Sequence, residues 1–257
     1  MSDDNFSGLK DNFISHLVEL RTRLVRASAV VLVVFIVLFA IWPGAAAIYD
    51  ILAKPMMNAL PEGSKMIATG VITPFMVPMK VTMMVALMIS LPWVLYQAWA
   101  FVAPGLYMHE KRLVAPLIVS SSVLFLLGVH FCYYFVFGTV FKFINDFAPK
   151  SISVAPDIEN YLDFVITMCL AFGITFEVPV VVIVLVRMGL VTVEKLKEIR
   201  PYVIVGAFVI AAVVTPPDIM SQLFLAVPLC LLYEIGLILA PLFVRVTKAP
   251  EDTPDSA

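Results

Sequence analysis

Long uncharged apolar runs recur along the whole chain, and no other feature limits its possible folds as strongly. A helix that crosses a bilayer needs ~20 mostly apolar residues to span ~30 Å of hydrocarbon. Six stretches come near that requirement: Leu24–Trp42, Met83–Ala103, Leu113–Phe141, Phe164–Val186, Val203–Val214 and Leu223–Val244. The composition agrees, with 61% hydrophobic and 14% charged residues among 257. A soluble domain averages about 45–50% and about 25%. The runs are spread evenly, so the sequence reads as one all-α integral membrane domain, residues 1–257, and not as soluble modules joined by linkers.

The fifth run is too short. Its 12 residues make roughly 18 Å of helix, less than the hydrocarbon thickness. We read runs five and six as a short hairpin that thins the bilayer locally or meets a polar cavity. A re-entrant fifth segment, with five spans and termini on opposite sides, is the alternative. Prolines inside or beside the spans (Pro92, Pro116, Pro179, Pro228) remove backbone donors and predict kinked helices. Bent helices suggest a concave, cup-like body.

Orientation follows from the basic residues. With six spans, one side holds Lys10, Arg21, Arg23, Arg26, Lys111, Arg112, Arg187, Lys195, Lys197, Arg200, Arg245 and Lys248. The other holds Lys54, Lys65, Lys80, Lys142 and Lys150. Twelve against five places both termini in the cytoplasm. Residues 1–23 then form a cytoplasmic arm whose Leu9, Phe13, Leu17, Leu20 and Leu24 repeat on one helical face. Residues 43–80 form an external loop, apolar enough to predict a folded cap, and 245–257 a cytoplasmic tail. About twenty mostly polar residues precede the first run, which argues for an uncleaved first span and against a signal peptide.

No catalytic constellation is evident. His109-Glu110 opens like a zinc-binding HExxH, but position 113 is leucine. Cys132, Cys169 and Cys230 lie singly in apolar runs and read as small buried hydrophobes. No cofactor, metal or nucleic-acid partner is expected.

The informative residues are polar groups at membrane depth. Glu177 lies 10 residues before Arg187 and 13 after Phe164, ~15–20 Å from either end. Glu234 is also deep. A charge there costs about 2.5–3.5 kcal/mol, so such groups face protein or a cavity. The plainer reading of Glu177 is a packing hydrogen bond; the functional one is a contact with a partner or transported species. At the cytoplasmic interface, Glu19 and Glu110 would suit a ligand with adjacent guanidiniums, because carboxylate–arginine forks are strong. Glu19 is also spaced i, i+4 from Arg23, an ordinary helix pair. These residues leave open a receptor, a proton-coupled small-molecule transporter using Glu177 and Glu234, and, less well supported, an intramembrane enzyme.

HLVELRTRL, MIATGVITPF, FVAPGLYMHEKR, FGITFEVPV, RPYVIVGAF and TPPDIMSQ, in this order, resemble the TatC family, the multi-spanning subunit of the twin-arginine protein translocase. The likeness runs from about residue 13 to 240 and implies a signal-peptide receptor, not an enzyme, in the cytoplasmic (inner) membrane. It implies a cup of six kinked helices that exports folded proteins on the proton-motive force. Implied partners are twin-arginine signal peptides and single-span subunits of the TatA and TatB type, in an oligomeric complex within the lipid bilayer. By motif, Glu19 and Glu110 would bind the arginine pair, with Leu20, Arg21 and Phe101 lining the site. Glu177, Thr215 and Gln222 would form a membrane-embedded polar site where a partner helix docks. Pro55 and Phe75 would support the cap. The chain departs from the family pattern at Gly70, where some relatives carry an acidic residue.

Overall fold

The structure, a computed structural model, describes residues 3–41, 43–60, 65–102, 114–147, 155–215 and 218–243. Ten α-helices follow one another among these: α1 (Asp3–Ala40), α2 (Ala45–Ala59), α3 (Thr73–Val102), α4 (Val114–Phe131), α5 (Phe137–Phe147), α6 (Ile158–Phe176), α7 (Val178–Arg187), α8 (Val193–Glu198), α9 (Arg200–Val214) and α10 (Ile219–Phe243). A π-turn, Cys132–Val136, joins α4 to α5. Five segments are long and apolar enough to cross a membrane: Ile14–Ala40, Thr73–Phe101, Ala115–Ile144, Ile158–Arg187 and Ile219–Leu242. Helix α9 is apolar but only 15 residues long, ~22 Å. The expectation of a short fifth helix thus matches its length, but the sixth, α10, is not short: its 25 residues are enough to cross a membrane because it begins at Ile219, before its apolar run.

The arm and the first span are one uninterrupted helix of 38 residues. Helix α1 packs chiefly on α3 and leaves Leu24, Val25, Val33 and Ile36 exposed. In a bilayer such side chains meet lipid, so their exposure carries no solvation penalty.

Helix α2 and residues 65–72 cover one end of the bundle, here the cap end; the opposite end is the rim end. Residues 73–80, read with the cap loop from sequence, are the first turns of α3. Thr73-Pro74 starts that helix because proline is pre-set for a first turn. Lys80 sits inside it, bonded to Glu159 (3.2 Å) and Asp163 (3.1 Å) of α6. Those acids likewise extend α6 well before the apolar run at Phe164.

A clasp fastens the cap. Asp157 caps α6, its Oδ1 accepting from the Glu159 and Asn160 amides at 2.9 and 3.1 Å. Its Oδ2 accepts from the Thr69 amide (3.1 Å) and hydroxyl (2.7 Å). A single bridge, Ile67 with Asp157, runs alongside. These bonds hold the Asp157 carboxyl below the usual carboxylate range, the Thr69 hydroxyl bond first among them.

Pro55 lies inside α2. Lacking an N–H, it frees the carbonyl four residues earlier, Ile51. The Tyr133 hydroxyl donates to that oxygen at 2.6 Å, and Tyr161 donates to the next carbonyl, Leu52, at 2.9 Å. The cap is thereby tied to the π-turn and to α6. Phe75 meets Phe39 edge-on at 6.3 Å.

The core lies between α4–α5, α6 and α10, around Phe137, Phe172, Met168 and Leu225. Helices α4 and α6 run antiparallel and approach through glycine. A methyl at Gly128 would lie 2.5 Å from the Phe172 carbonyl oxygen, and one at Gly173 2.5 Å from the Phe125 ring. Small residues let membrane helices come this close. Cys132 and Cys169 are buried within this core and Cys230 is half-buried.

Candidate functional site

The polar residues at the rim end begin on α1. Among residues 14–20, Glu19 alone is partly buried; its neighbours are exposed. Its Oε1 accepts from Arg23 Nε (2.8 Å) and Nη2 (2.5 Å). One turn earlier His16 stacks on Phe101 of α3, centroids 4.3 Å apart and planes 18° apart. His16, Glu19 and Arg23 share one face of α1 because i, i+3 and i+7 align on a helix. The structure thus sets the Phe101 contact on the face of α1 that also carries Glu19. Leu20 and Arg21 lie on the exposed side of α1. Glu110 lies outside the described residues. His16 is what joins Phe101 to the arm, and the sequence holds no sign of that stack.

Glu177 stands at a break. It is the one residue between α6 and α7, closing the first and opening the second, with Pro179 two residues on. Proline removes the bond that would continue the helix, and the Glu177 amide bonds back to Ile174 at 3.0 Å. Both carboxyl oxygens are buried, with no hydrogen-bond partner among the described residues. The Ser121 hydroxyl of α4 faces them.

Thr215 and Gln222 are spent on local bonds. The Thr215 hydroxyl donates to Ala211 at 2.8 Å where α9 ends. Gln222 Nε2 donates to the Phe208 carbonyl at 3.2 Å, holding α9 to α10. Gly236 of α10 lies against Pro179 and Val182. Counting back along α10 from that contact puts Gln222 ~18 Å along the axis from the level of Glu177. The structure therefore does not gather Glu177, Thr215 and Gln222 into one cluster. It sets them along one wall.

Glu234 lies near the level of Glu177 but is paired. Arg200, first residue of the short α9, reaches it at 2.6 Å. Because α9 is short, its charged end sits deep enough to meet a mid-helix carboxylate. Helix α8 follows it in: Leu196 packs with Val182, Val186, Tyr233 and Leu237, and the Tyr233 hydroxyl donates to Leu196 at 2.8 Å. Sequence spacing made Glu234 a deep lone acid; its cation comes from the neighbouring helix end. Among the described residues no group of three or more His, Cys, Asp and Glu is placed to hold a metal ion.

This arrangement defines a class: a multi-pass, all-helical membrane protein with polar groups buried between its helices. The family model for the Sec-independent protein translocase protein (TatC) matches residues 15–228. The Sec-independent protein translocase protein TatC of Haemophilus influenzae is 49% identical over 227 residues, covering 88% of each chain. That of Escherichia coli K12 is 46% identical over 239 residues, 93% of this chain and 92% of the relative. A crystal structure of the twin arginine translocase receptor TatC superposes with a TM-score of 0.78 at 38% identity, covering 90% of this chain and all of that one. The chain belongs to the TatC family. It is a component of a protein translocase and not a catalytic enzyme, so the small-molecule transporter and intramembrane enzyme readings are set aside.

Proposed function

We propose that the rim end is a receptor surface for twin-arginine signal peptides of folded cargo. The observation that carries it is the partly exposed Glu19, fixed by Arg23 one turn from the His16–Phe101 stack. A carboxylate already holding one guanidinium is oriented to receive another by exchange or on its second oxygen. Glu110, carried over from the family motif, supplies the second carboxylate, with Leu20 and Arg21 at the margin. The rim end faces the cytoplasm, as does each terminus, in accord with the distribution of basic residues. The membrane is the inner membrane, and transport draws on the proton-motive force.

Glu177 is a polar hook for a partner helix of the single-span TatA or TatB type, with Thr215 and Gln222 further along the same wall. That its two oxygens have no hydrogen-bond partner among the described residues supports this. Pro55 and Phe75 hold the cap in place.

The test is binding of a twin-arginine signal peptide to the purified protein, against a twin-lysine control. Arginine-dependent binding lost in both Glu19→Ala and Glu110→Ala is the expected result. Binding indifferent to the arginines, or to both glutamates, overturns the site.

A further inference from the structure

Glu177 is held in register by the close α4–α6 contact. Gly128 meets Phe172, and Phe125 meets Gly173. Continuing toward the rim end, the antiparallel register sets Ser121 of α4 opposite Glu177, where its hydroxyl faces the carboxyl. Ser121 is fully buried. A buried serine hydroxyl has one proton to give and lone pairs to fill. Trp99 of α3 fills one of them, its Nε1 donating to Ser121 Oγ at 3.3 Å. Indole only donates, so Trp99 leaves the serine proton free and biases it away from α3, toward Glu177.

Trp99 stands two residues before Phe101. Positions two apart on a helix project ~200° apart, so Phe101 turns to His16 on α1 while Trp99 turns to Ser121 on α4. One helical turn of α3 thus touches the rim stack on one side and the serine on the other.

We propose that Ser121 is the hydrogen-bond donor that orients the Glu177 carboxyl, and that Trp99 is the positioning residue that sets the serine proton toward it. The role rests on the reading of Glu177 as a docking group. It adds that the hook's orientation is set from the same turn of α3 that carries Phe101. An unpartnered buried carboxyl is costly, so a serine swing that completes this bond is favoured whenever no partner helix occupies the oxygens. A docking helix then competes with Ser121, which makes the contact exchangeable.

The experiment is infrared spectroscopy of the full-length protein in lipid nanodiscs. The Glu177 band is assigned by its loss in Glu177→Gln. In Ser121→Ala the band is expected to move to higher wavenumber, as loss of a donor stiffens the carbonyl. Trp99→Phe, which keeps the ring and loses the donor, is expected to move it less in the same direction. A Glu177 band unmoved in Ser121→Ala overturns the proposal; if that variant does not fold, an unmoved band in Trp99→Phe does. Neither readout depends on cargo or partners. Failure of the docking reading shows separately, as partner crosslinking that survives Glu177→Gln while the band still shifts with Ser121.

Discussion

Arg200 Nη2 and Glu234 Oε2 lie 2.6 Å apart across the α9–α10 hairpin, joining the first residue of the 15-residue α9 to the interior of the 25-residue α10. Both side chains are about two-fifths exposed (42% and 41%), so the bond is weaker than a fully buried pair. Arg200 Nε has no partner among the described residues, so the guanidinium depends on Glu234. Glu234→Ala should destabilise the protein by about 1–2 kcal/mol, and Glu234→Gln by less. Unfolding in mixed detergent micelles measures this; equal costs for the two variants would deny the pair its role.

The Pro55–Tyr133 arrangement predicts a coupling. Tyr133→Phe removes the donor to the Ile51 carbonyl and should cost about 1–3 kcal/mol. In a Pro55→Ala background the restored amide can take that carbonyl, so the same substitution should cost much less. A double-mutant cycle reads the difference; additive costs would mean the hydroxyl has some other use.

Two glycines separate packing from propensity. Gly128→Ala puts a methyl against the Phe172 backbone, which cannot swing aside, and should cost about 1–3 kcal/mol. Gly138→Ala in α5 meets nothing within 4 Å and should stabilise by about 0.5–1 kcal/mol. Paired unfolding curves check both signs.

The clasp should respond to acid. The Asp157 carboxyl is held below its ordinary pKa by the Thr69 hydroxyl and by backbone amides. A group depressed on folding contributes stability that is present above its unfolded pKa, about 3.9, and fades as pH falls through the lower folded value. Protease accessibility of the cap should therefore rise only below that range. Asp157→Asn should expose the cap at neutral pH and flatten the acid dependence.

Glu177→Ala should weaken crosslinking to single-span partner subunits. Interhelical hydrogen bonds in membranes average about 0.6 kcal/mol, so the expected loss is about threefold in apparent affinity, with signal-peptide binding retained. Unchanged crosslinking would reduce Glu177 to a packing residue.

Much of the helical plan was legible because hydrophobic length is a property of each helix alone. The limits lay where one helix repairs another. Lys80 delayed the start of the second apolar run in sequence, and Glu159 and Asp163 that of the fourth, yet all three sit in helices that begin earlier because the charges meet across α3 and α6. Glu234 read as a lone deep acid for want of any sign that Arg200 would reach it. At the rim, Glu19 and Phe101 were named from motif, but the His16 stack that unites them depends on the relative rotation of α1 and α3. The π-turn at Cys132–Val136 left no trace in the sequence, being a local choice imposed by tertiary packing.

The clasp has a consequence for how the chain comes into being. Thr69 and Asp157 are separated by 88 positions, with the second and third spans between them. A growing chain that has delivered α2 and residues 65–72 to the cap end has no Asp157 to bind there until two more crossings are complete. The cap must wait, unfastened, while ribosome and insertion machinery finish those 88 residues. Closure of that one contact therefore serves as a signature that the first three spans have entered the membrane in order.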